Sequence, residues 1–182
     1  MMDKHNRKWL LACVGIPVLM VLLFLLQWKH IDPFLLLRKE ILLCIGYIAA
    51  LSDLREKRIP NKLVLVLLAA WVLSLLPQIF LDIDTIPAVL KNGLLGFAIC
   101  GVLFLLVYLI SRQGLGGGDV KLMAVAGLYL GLYGALPAIL YGSILAALFS
   151  LILMAAKKLG RKDTIPLVPF LYLGILIVLF GA

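Results

Sequence analysis

Two aspartates carry the chemistry this sequence offers. Asp119 directly follows the glycine-rich stretch Gly114-Leu115-Gly116-Gly117-Gly118 and precedes an apolar run. Asp53 stands in Leu51-Ser52-Asp53-Leu54-Arg55-Glu56-Lys57-Arg58-Ile59-Pro60-Asn61. A carboxylate beside hydrocarbon is costly and tends to be kept for a function, with a partner. Two carboxylates about 3 Å apart cannot both ionise cheaply, so they share a proton. One then serves as base towards a water while the other, protonated, polarises a scissile carbonyl; such a pair titrates as a unit. Glycines beside it let backbone approach an extended peptide closely. A second reading stands next to this one: an aspartate at a helix terminus is often a cap, and Asp119 would then simply N-cap the helix that follows.

Other chemistries fit less well. The glycine loop is no Walker A loop, because Lys121 follows Asp119-Val120 and lacks an adjacent Ser or Thr. It is no dinucleotide fingerprint either, since Asp119 occupies the last glycine position and no parallel-sheet pattern surrounds it. His5 and His30 are the only histidines and flank the first apolar segment, which argues against a Ser-His-Asp site. Cys13, Cys44 and Cys100 are isolated inside apolar runs with no Cys-x-x-Cys, so no metal or cofactor is expected and they read as small buried hydrophobes. Asp163, between Lys162 and the threonine that follows, reads as a solvated loop charge, and Lys121 as an interface anchor.

The elements that must position these residues are membrane helices. Of 182 residues, 64% are hydrophobic and 14% charged, against roughly half and a quarter in soluble domains. The expected fold is an all-α polytopic bundle, one transmembrane domain with about seven spans. Basic Lys4, Arg7 and Lys8 precede a first apolar run at 9–28, which has no small-x-small cleavage site after it and reads as a retained span. A second span at 34–54 is interrupted by Arg38, Lys39 and Glu40, whose basic side chains are expected to snorkel outward. Further spans are expected at 63–81, 86–110, 120–136, 137–156 and from 165 to the end, with Pro60 closing one helix and opening the next. Ala124, Gly127, Gly131 and Gly134 are spaced for close helix approach.

Charge orients this layout. With the N-terminus inside, the inner segments hold every Lys and Arg except Lys29, Arg38, Lys39 and Lys91, which supports an N-in, C-out chain. Asp53 and Asp119 then share the cytoplasmic side. The net charge of +8 belongs to loops facing anionic lipid, not to a nucleic-acid-binding face.

Three blocks now carry a resemblance: residues 53–61, residues 114–122, and Ile165-Pro166-Leu167-Val168-Pro169-Phe170-Leu171-Tyr172-Leu173-Gly174. They are similar, in order, to the signature blocks of type IV prepilin peptidases, over about residues 41–182, with residues 1–30 as an additional N-terminal span. The resemblance implies a GxGD-type membrane aspartyl endopeptidase that removes the basic leader of prepilins or pilin-like precursors at the cytoplasmic face of the cell membrane. By motif position Asp53 and Asp119 become the catalytic pair, Gly116 and Gly118 shape the loop beside them, and Pro166, Pro169 and Phe170 are packing or substrate-proximal. Larger members carry a Cys-x-x-Cys insertion and also methylate the new N-terminus; this chain resembles the short, peptidase-only members. Presenilin-like enzymes share the Gly-x-Gly-Asp idea but have Tyr before the first aspartate, where this chain has Ser52, and a Pro-Ala-Leu that is missing here. A different class is a small transporter using the two aspartates as a proton or cation site, against which stands the lack of an evident internal repeat.

Overall fold

The computed structural model describes residues 4–29, 31–111, 115–157 and 165–181, with side chains from residue 15 onward. The expectations for Gly114, Arg112, Lys158, Arg161, Lys162 and Asp163 fall outside these residues. Among the described residues six helices follow one another: α1 (Lys4–Gln27), α2 (Pro33–Glu56), α3 (Asn61–Leu81), α4 (Ile86–Ser111), α5 (Gly117–Ala155) and α6 (Val168–Gly181), with a short 3-10 turn (Ile83–Thr85) leading into α4. Among the described residues there is no strand.

The all-α membrane class is as expected. Asn61–Leu81, Ile83–Ser111 and Gly117–Ala155 are long and apolar enough to cross a bilayer, and Gly15–Gln27 and Val168–Gly181 are shorter apolar helices. Large apolar side chains such as Leu65, Leu73, Leu109 and Ile152 stand exposed along these helices. In water such a surface would aggregate; in hydrocarbon it is the solvated face. The protein is a multi-pass membrane protein.

Local sequence sets the helix ends. Asp32 accepts the Phe34 N–H at 2.9 Å and Pro33 takes the first position of α2, where its missing N–H costs nothing. At the other end of α2, Lys57 adopts a left-handed conformation (φ 49°) and returns its N–H to the Asp53 carbonyl. Pro60 then precedes the first residue of α3.

The boundary expected at residues 136/137 lies elsewhere. Pro137 sits within α5, and the helical path breaks at Gly131, with φ 63° and ψ −174°. That left-handed region is open to glycine at little cost. The break is satisfied from both sides. The Leu132 N–H, which a continuous helix would give to the Leu128 carbonyl, goes instead to Asn92 Oδ1 at 3.1 Å. The freed Leu128 carbonyl accepts Trp71 Nε1–H at 3.1 Å. Leu171 of α6 adjoins Gly142 and shares a small apolar cavity with Met123. In a straight helix those two α5 residues would lie about 28 Å apart, so α5 doubles back on itself. Its arms are residues 117–130, against α4, and 132–155, against α6.

Small residues let these arms close up. Gly96 of α4 and Gly127 of α5 meet backbone to backbone, and Gly174 of α6 sits directly on Ala138 and Gly142. Tyr172 and Tyr129 donate their hydroxyls to the Leu43 and Leu67 carbonyls at 3.0 and 2.6 Å, cross-bracing α6 to α2 and α5 to α3.

Arg38 corrects a second expectation. It does not snorkel; it is 4% exposed. Its guanidinium donates to Ser74 Oγ at 3.2 Å and to Gln78 Oε1, and Gln78 in turn donates to Thr85 Oγ1. A buried cation is tolerable only with acceptors around it, and the polar positions of α3 supply them. Lys39 donates to Gln27 Oε1 at 3.0 Å. Arg38 lies about 22 Å along α2 from Asp53, so the fold has a polar lock at one end and the two aspartates at the other.

Candidate active site

Asp53 is held in the last turn of α2 and is 5% exposed. Its carboxylate accepts the Val168 N–H at 3.0 Å. That donor belongs to the first residue of α6, whose N–H has no partner within its own helix. The block at 165–174 therefore positions the first aspartate through its backbone. Pro166 contributes no N–H there and fixes the approach to α6.

Asp119 sits in the first turn of α5, which starts at Gly117, three residues before the expected start at Val120. Its carboxylate reaches back to the Gly116 N–H at 3.1 Å, while its own N–H returns to the Gly116 carbonyl at 3.0 Å. The capping reading thus describes a real contact, made from the third helical position. The second carboxylate oxygen remains for other use.

One loop joins the two halves. The Ser52 hydroxyl donates to the Arg58 carbonyl at 3.1 Å, folding residues 57–60 back over the end of α2. This presents Ile59 to Gly118: a Cβ at 118 would stand 3.1 Å from the Ile59 Cβ. Lys121 adds a contact to α3 through Asn61 Oδ1 at 3.3 Å. The bare face of Gly118 lets the start of α5 seat against the end of α2.

The result is an open cleft of about 360 Å³ onto which both aspartates face. Asp53 comes to this cleft from the end of α2 and Asp119 from the start of α5. Gly116, Gly118 and Pro166 line the cleft; Pro169 and Phe170 lie beyond it, in α6. Phe170 packs on Phe149 with ring centroids 5.1 Å apart. Sequence reasoning did not single out Lys57, Arg58, Ile59, Leu115, Gly117, Ile165 and Leu167 as lining residues. All lie inside or beside the three blocks, so the signal was proximity to the motifs. Among the described residues no group of three or more His, Cys, Asp or Glu could hold a metal ion.

An open cleft of this size has room for an extended chain beside two carboxylates. Comparison with known proteins points the same way. The family model of the type IV leader peptidase family matches residues 40–151, which include both aspartates and stop short of the third block. A prepilin leader peptidase/N-methyltransferase of Xanthomonas campestris pv. campestris is 32% identical over 136 residues, 74% of this chain and 47% of that protein. Its namesake in Bacillus subtilis is also 32% identical over 136 residues, covering 52% of that protein. The chain thus spans about half the length of the curated relatives it matches. No solved structure matches the chain. The chain belongs to the type IV leader peptidase family.

Proposed function

We propose that the protein is a membrane-embedded aspartyl endopeptidase that removes the basic leader peptide of a prepilin or pilin-like precursor at the cytoplasmic face. The observation that carries this reading is the convergence of Asp53 and Asp119, from separate helices, on one open cleft. The pair holds one proton. The ionised member takes a proton from water as the water oxygen bonds to the scissile carbonyl carbon. The protonated member donates to the carbonyl oxygen as charge develops there. Collapse of the tetrahedral species breaks the C–N bond, a proton passes to the leaving nitrogen, and an acid and an amine depart.

The topology we read with it is seven spans, N-in and C-out, in a single domain, with α1 as an added N-terminal span and the arms of α5 counted separately. Gly116 and Gly118 shape one wall, Pro166 the opposite edge, and Pro169 and Phe170 hold α6 where Val168 meets Asp53. The family placement weighs against the transporter reading.

The test is cleavage of a prepilin-like precursor by the purified protein in detergent or nanodiscs. Asp53→Asn and Asp119→Asn are each expected to lower kcat by at least about 100-fold, within the range for lost acid–base groups. The wild-type rate should be bell-shaped in pH, because only the singly protonated pair is competent. Near-normal cleavage by either variant at normal expression defeats the proposal.

A further inference from the structure

The three consecutive glycines of the cleft wall are glycine for different reasons. At Gly116 a Cβ would press on Asp119 Oδ2 at 3.2 Å, displacing the carboxylate that Gly116 orients. At Gly118 it would meet Ile59, both its Cβ at 3.1 Å and its carbonyl oxygen at 3.4 Å. At Gly117 it would meet nothing within 4 Å among the described residues.

The fold itself makes no demand for glycine at 117. The residue is the first of α5 and has no left-handed backbone angle; among the described glycines only Gly131 does. Gly117 stands at the first helical position, ahead of the interior where glycine costs about 1 kcal/mol against alanine, so local stability makes no call for glycine here. Yet Gly117 lines the cleft beside Gly116 and Asp119, and its Cβ would meet no described residue. A side chain there would spare the scaffold and narrow the approach to the aspartates.

We propose that Gly117 is a specificity-determining residue: its missing side chain is the space through which the substrate peptide passes over the aspartates, and the bulk at this position sets which residues can flank the scissile bond. This rests on the peptidase reading and deepens it. A peptide backbone pressed against Gly117 comes closer to the pair than any side chain at 117 would allow. The residues flanking the bond are then sorted by size, since a cleft wall discriminates chiefly by what it leaves room for.

The experiment uses the full chain in nanodiscs, with Gly117→Ala, Gly117→Val and Gly117→Leu. The probes are precursors that differ only in the residue before the scissile bond, small in one and bulky in the other. The inference expects kcat/KM to fall in steps with side-chain size, by about tenfold or more for Leu. It expects the loss to fall mainly on KM and to be larger for the bulky precursor. Unfolding midpoints should match wild type, unlike those of Gly118→Val, whose side chain meets Ile59. If the wild type cleaves and Gly117→Leu cleaves both precursors at the wild-type kcat/KM, this inference is overturned and the peptidase reading stands. If Gly117→Ala lowers the unfolding midpoint as much as Gly118→Val does, the residue is structural and the inference also falls. Failure of the wild type to cleave any precursor overturns the peptidase reading, and this inference with it.

Discussion

Two glycine-bearing regions of α5 are built on opposite logic. At Gly131 glycine permits a left-handed turn, and the Leu128 carbonyl and Leu132 N–H that the turn separates are each taken up: Asn92 accepts the Leu132 N–H, and Trp71 donates to the Leu128 carbonyl. At residues 116–118 two glycines allow close contact, with Asp119 and with Ile59, and the third, Gly117, lines a cleft and meets no described residue. The first region is closed by side chains from α3 and α4; the second is held open by their absence. A closed region serves stability and an open one serves a ligand, so substitutions should separate the two along different observables.

The largest separation is expected at the turn itself. Gly131→Leu combines a left-handed φ with a Cβ placed against the Asn92 amide, and should cost at least about 2 kcal/mol of stability. Its activity would fall only as the folded fraction falls. Chemical denaturation in mixed micelles, followed alongside cleavage, checks this; an unchanged midpoint would show that the turn is not held as described. Asn92→Ala leaves the Leu132 N–H without its acceptor and is expected to cost about 1–3 kcal/mol, again on the midpoint before the rate.

The open region should behave the other way. Gly118→Ala must move Ile59 or the start of α5 by a few tenths of an ångström. Small misplacements of reacting groups are costly, so a loss of about tenfold in kcat, near 1.4 kcal/mol of transition-state stabilisation, is expected with little change in midpoint. A drop in midpoint with unchanged kcat per folded molecule would put Gly118 in the same class as Gly131. The smallest effect is expected from Tyr129→Phe, which keeps the ring and removes only the hydroxyl donor to the Leu67 carbonyl. It should cost about 0.5–1.5 kcal/mol in the same denaturation measurement, and no change would show the donor to be dispensable.

What was legible in the sequence follows the same division. The aspartates stood out because a carboxylate at the edge of an apolar run in a greasy chain is a local signal. The helices were legible as a class because long runs of apolar residues mark them, and Pro60 marked one start. The turn in α5 was not. Proline is the stronger sequence breaker, so the boundary was expected at Pro137, yet α5 runs through it and breaks at Gly131. Gly131 was selected by Asn92 and Trp71, distant in sequence. Arg38 was misread for the same reason: whether an arginine snorkels or is buried depends on what the neighbouring helix offers, here Ser74 and Gln78. The clamp on Asp53 was illegible too, because its donor is a backbone N–H and any residue but proline would provide one. The Ile59–Gly118 contact lay between two recognisable blocks, each silent about the other.

The central claim is that Asp53 and Asp119 act as one unit, and non-additivity tests it most directly. Single-turnover cleavage of one prepilin-like precursor should be measured for wild type, Asp53→Asn, Asp119→Asn and the double variant. Residues that work as a unit lose nearly everything at the first substitution, so the double variant should be no slower than the slower single variant, within about threefold. If the two losses multiply instead, the carboxylates act independently and the pair proposed here is contradicted.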